Sequence, residues 1–104
     1  MTQRLNQCVD VGTKACSVVR IKGKTPTALA EMRASCTAAV KSACTNGYQS
    51  ATTSFALGGP FGAALQAGSL KCVEFTKRGD KIKADTGLIE AIKRITQNAC
   101  AVYK

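Results

Sequence analysis

Six cysteines in a chain with no histidine set the terms on which this sequence can fold. They follow the spacing C-x7-C-x19-C-x7-C-x27-C-x27-C. No CxxC pair occurs and no imidazole is available, so the local ligand pairs from which zinc sites are built are missing, and neither a metal nor another cofactor is expected. An even count without zinc spacing reads instead as disulfides among Cys8, Cys16, Cys36, Cys44, Cys72 and Cys100, formed in an oxidising compartment. With 104 residues the chain makes one domain with a modest core. Each cross-link would add about 2–4 kcal/mol to it. Spacing alone does not choose among the possible pairings.

The clearest regular element is a helix that starts at a Thr25 cap with Pro26 in its first turn and stops at Asn46-Gly47. Leu29, Met32, Cys36, Val40 and Ala43 recur at steps of three and four along one face. A second helix follows an Asp85 cap, with Leu88, Ile92, Ile95 and Ala99 as its stripe and Glu90 and Arg94 as a surface pair. Between and around these helices the pattern favours strands. Residues 15–22 are β-branched and end in Lys22-Gly23-Lys24. Residues 69–77 alternate Val73 and Phe75 with Glu74 and Thr76, and turn at Arg78-Gly79-Asp80. Residues 48–57 carry threonines and aromatics but also alanines, so strand and helix both remain open, with strand favoured. A short strand over 100–103 closes the chain. Residues 1–7 read as a flexible polar arm. The predicted order is β-α-β-β-α-β, an α+β ferredoxin-like sandwich with two helices packed on an antiparallel sheet.

Charge narrows the function classes. Fifteen Lys and Arg oppose six Asp and Glu, a net charge of +9. With no histidine the common general base is absent. The carboxylates are scattered, and no nucleophile motif or phosphate-binding loop appears, so no catalytic residue is assigned and an enzyme is not expected. The alternative would be a small secreted hydrolase or nuclease using a carboxylate pair such as Asp10 with Glu74, or a carrier of apolar ligands. The basic residues Lys22, Lys24, Lys77, Arg78, Lys81 and Lys83 are candidates for attracting an anionic partner, against the plainer reading of a solvated surface that keeps the protein soluble. Few aromatics and no RNP-like strand disfavour nucleic acid. Residues 55–68 hold no charge and are rich in glycine. They read either as a loop folded on the core or as an apolar tip with Phe61 at its point. No apolar run reaches membrane-spanning length, and a secreted monomer is expected.

This layout over residues 16–103 resembles the small secreted cysteine-rich proteins of fungi, among them the virally encoded killer toxins of smut fungi and related plant-pathogen effectors. The resemblance lies in length, cysteine content, basic character and the element order β-α-β-β-α-β. It implies a compact α+β fold and a non-enzymatic role in antagonism, at a target cell surface, an anionic membrane or cell-wall component, or a host protein.

Overall fold

A computed structural model of the chain describes residues 2–20, 22–77 and 86–103. The described residues contain no strand. Four helices account for nearly all of them: α1 (Thr2–Ser17), α2 (Pro26–Ala56), α3 (Phe61–Lys77) and α4 (Thr86–Cys100), closed by a 3-10 turn (Ala101–Tyr103). The α+β ferredoxin-like sandwich is therefore replaced by an all-α bundle. The fungal resemblance loses the element order on which it rested; size, cysteine number and charge are what remain of it.

The physical reason lies in the length of window over which periodicity is read. The alternation at Val73 to Thr76 covers too few residues to compete with the surrounding pattern. Ala64, Leu65, Ser69 and Cys72 are buried at helical steps along α3, and Val73 and Phe75 are half-buried beside them. The β-branched run at 15–22 divides in the same way. Its first residues complete α1, where Cys8, Gly12 and Cys16 repeat every fourth position on the buried face. Residues 100–103 are helical rather than extended, and the residues read as an N-terminal arm form, from Thr2 on, the opening turns of α1.

The second surprise is α2. Thr25 caps it as expected, its hydroxyl accepting from the Ala28 amide at 3.1 Å with Pro26 in the first turn. The helix then runs straight through Asn46-Gly47 to Ala56. Gly47 serves packing here. A Cβ on it would come 2.7 Å from the Gly68 carbonyl of α3, and one on Gly68 would come 2.8 Å from the Gly47 carbonyl. The two backbones thus meet at a glycine pair, which a longer side chain on either helix would prevent. Asn46 ties the same crossing with a 2.8 Å bond from its amide to the Lys71 carbonyl. The true end of α2 comes at Gly58, at φ +88°, where the Gly58 and Gly59 amides close back on the Phe55 and Ser54 carbonyls at 3.1 Å each. The 31 residues of α2 span about 46 Å, nearly the whole long dimension of a 51 × 24 × 15 Å molecule.

In α4 the expected stripe is present: Leu88, Ile92 and Ala99 are buried and Ile95 is half-buried. Glu90 lies 3.9 Å from Lys93. The Asp85 cap falls outside the described residues.

Candidate functional site

Three disulfides staple the bundle, and their pairing follows from helix direction. Cys8 joins Cys44 and Cys16 joins Cys36, so α1 lies antiparallel to the first part of α2. Cys8 and Cys16 are eight residues apart, as are Cys36 and Cys44, and two equal spacings on antiparallel helices put both bridges in register. Cys72 joins Cys100, binding α3 to α4. All six cysteines are fully buried. Tyr103 is buried beside them and donates its hydroxyl to the Cys44 carbonyl at 2.9 Å. Burial, with a smaller contribution from Tyr48, pushes its phenol up to about 12.

Above this stapled level α2 and α3 continue as a hairpin. Residues 42–70 contain no charged side chain, in a chain that is 20% charged. At the tip, Leu57 is 83% exposed, Phe55 51% and Phe61 47%. The Phe61 and Phe55 rings meet edge to face, centroids 5.9 Å apart at 89°. The Arg4 guanidinium sits over the Phe61 ring, 5.8 Å from its centroid, and donates to the Val102 carbonyl at 2.6 Å. Phe61 is thus neither sunk in the core nor free-standing. It forms the root of an apolar tip whose outermost side chain is Leu57.

The basic residues lie elsewhere. Lys22 and Lys24, together with Arg20, are exposed in the connection between α1 and α2. That connection enters α2 at one end, whereas Phe61 follows its other end, so the cations and the tip are separated by about the 46 Å length of the helix. Lys77 is the last residue of α3. Arg78, Lys81 and Lys83, and with them the Arg78-Gly79-Asp80 turn, lie outside the described residues. Among the described residues, no compact site contains both Phe61 and the predicted cations; Arg4, absent from the sequence candidates, is the cation at the tip. Its signal in the sequence was weak, because nothing local links Arg4 to Phe61.

The chain matches no family model, no curated protein and no solved structure. Its chemistry is read from its own residues.

The two carboxylates weighed for catalysis, Asp10 and Glu74, each face a lysine of their own helix. Asp10 pairs with Lys14 at 3.1 Å and Glu74 with Lys71 at 3.4 Å, each an exposed pair within its own helix. An open groove of about 960 Å³ runs along α2 and α3 and is lined largely by hydroxyl and amide side chains such as Thr45, Asn46, Gln49 and Thr53. It is a polar surface furrow, unlike the enclosed apolar space that an apolar-ligand carrier needs. No described helix is long and apolar enough to cross a membrane.

Proposed function

We propose that this is a secreted, non-enzymatic cationic protein that acts at the surface of a target cell, in the manner of a small toxin or effector. The observation that carries the reading is the division of the molecule into two chemically distinct ends. One end presents Arg20, Lys22 and Lys24 to solvent, and the other presents Phe55, Leu57 and Phe61 on a hairpin without charge. Long-range attraction of a +9 chain to anionic headgroups or cell-wall polymers raises its concentration at the surface. Phe55 and Leu57 can then enter the apolar layer while the Arg4 guanidinium beside Phe61 stays at the level of the headgroups. Three disulfides fit an extracellular setting.

Co-sedimentation with vesicles containing anionic lipid tests the proposal. Replacing Lys22, Lys24, Lys77, Arg78, Lys81 and Lys83 with Ala should weaken binding at low salt by at least about tenfold, since each cation near an anionic surface is worth about 1 kcal/mol. Binding that is unchanged at low salt would sink the electrostatic half of the proposal. L57S/F61S should leave salt-dependent attraction in place and shorten retention on the vesicle. Equal retention would remove the tip from the mechanism.

A further inference from the structure

We propose that the groove between α2 and α3 is a binding site for a strand of neutral polysaccharide. The inference goes beyond the attraction to anionic surfaces and does not depend on it, because the lining is almost uncharged. The groove is open and holds about 960 Å³. Its α2 wall carries Ser42, Thr45, Gln49, Ser50, Thr53 and Ser54. These fall in two adjacent rows at steps of three and four, so hydroxyls and an amide line about 18 Å of one helix face. On the α3 wall stand Lys71, Glu74 and Phe75. Asn46 spans the two walls: its amide nitrogen donates to the Lys71 carbonyl at 2.8 Å, and its side-chain oxygen can still accept.

Two observations set this face apart from an ordinary solvated helix surface. The first is what its side chains do. Elsewhere in the bundle, helical hydroxyls turn back on their own helix: Thr13 donates to the Asp10 carbonyl, Ser17 to that of Lys14 and Thr52 to that of Tyr48. Among the described residues, the six hydroxyl and amide side chains of the α2 wall have no such protein partner, so their donors and acceptors are left to the groove. The second is cost. Ser and Thr are poorer helix formers than the Lys and Glu usual on exposed faces. On their exposed faces α1 and α4 carry ion pairs, Asp10 with Lys14 and Glu90 with Lys93. From Ser42 to its end α2 forgoes charge altogether.

The chemistry of the lining selects the ligand class. Hydroxyl and carboxamide groups both donate and accept, which matches a ligand covered in hydroxyls. An anionic strand would need cations, but Lys71 is paired with Glu74 at 3.4 Å and Lys41 lies at one end of the lining. An apolar ligand would need enclosure, which an open furrow lacks. A peptide would need a sheet edge or an apolar groove, whereas the described residues contain no strand and this lining is polar. A sugar strand needs neither. Its hydroxyls meet the α2 rows, and the C–H face of a ring can lie on half-buried Phe75. Each neutral hydrogen bond in such a groove is weak. A short oligosaccharide therefore binds loosely, and a polymer that presents many equivalent segments is held far better.

NMR titration of the isotope-labelled full chain, disulfides intact, tests this with four neutral hexamers: laminarihexaose, cellohexaose, mannohexaose and chitohexaose. The expected result is saturable shifts of the backbone amides from Thr45 to Thr53 and at Phe75 with at least one hexamer, equal at low and high salt. The anionic hexamer of galacturonate should produce no comparable shifts. T45A/Q49A/T53A should weaken binding about tenfold or more, with helicity held because alanine favours the helix. The same variant should bind anionic vesicles as the unsubstituted chain does, so failure here is distinguishable from failure of the surface role. Absence of saturable shifts with all four hexamers, shifts confined to residues outside the groove, a preference for galacturonate, or unchanged affinity in the triple variant would each overturn the proposal.

Discussion

Tyr103 shows how one side chain couples the end of the chain to its middle. Its hydroxyl is a buried donor with a backbone partner on α2, and its ring lies against Gly47 in the space a Cβ there would need. Its phenol, raised to about 12 from an ordinary 10.0, stays neutral in the folded state where the unfolded chain would ionise. The folded form therefore holds the proton more tightly. The stability this contributes is complete below pH 10 and is lost as the pH rises toward 12. The loss should be on the order of 2 kcal/mol. Urea unfolding across that interval should show it, and Tyr103→Phe should remove this component, at a cost of about 1 kcal/mol at neutral pH for the lost hydrogen bond. Tyrosinate absorbance in Tyr48→Phe isolates Tyr103, and titration near 10 there would contradict the assignment. Residue-scale features of this kind are only partly legible in the sequence. The Thr25 cap and Pro26 are local chemistry and can be read directly, whereas the partner of Tyr103 lies 59 positions away.

At the scale of elements, helices read from long stripes were legible and helices interrupted by turn-forming or β-branched residues were not. α4 and the first half of α2 have apolar steps that no local signal opposes. In the second half of α2, Asn46-Gly47 has the chemistry of a stop, but its glycine answers a demand made by α3, and nothing in a local window shows that Gly68 will arrive opposite. Likewise the two C-x7-C spacings hold the register of an antiparallel helix pair, a signal visible only once both stretches are taken as helical. The glycine crossing makes a sharp prediction. In an open helix Gly→Ala gains up to about 1 kcal/mol. Gly62, with nothing within 4 Å of its virtual Cβ, should show such a gain in urea midpoint. Gly47→Ala should instead lose about 2–3 kcal/mol, because the atom it meets at 2.7 Å is a backbone carbonyl that cannot rotate away. Equal responses at the two sites would mean that α2 and α3 do not cross as described.

The whole molecule is a rod with the Arg20, Lys22 and Lys24 cluster and the exposed apolar tip at different ends, and that shape constrains how any surface role can work. Groups about 46 Å apart along α2 share no contact, and the separation exceeds the roughly 8 Å Debye length at physiological ionic strength several-fold. Changes at the two ends should therefore act independently. In a double-mutant cycle on anionic vesicles, K22A/K24A combined with L57S/F61S should weaken binding by the sum of the separate effects, to within about 0.5 kcal/mol. The salt dependence should assign each part: the lysine variant should flatten the fall of affinity with ionic strength, and the tip variant should lower affinity equally at every salt concentration. The sequence supplied both halves of this argument, the cations and the uncharged stretch, but not the distance between them. A long helix separates them. A strongly non-additive cycle would require the two ends to meet, through self-association or bending of the rod. Independent ends with distinct salt behaviour would instead describe a protein that is drawn to a surface by one end and held there by the other.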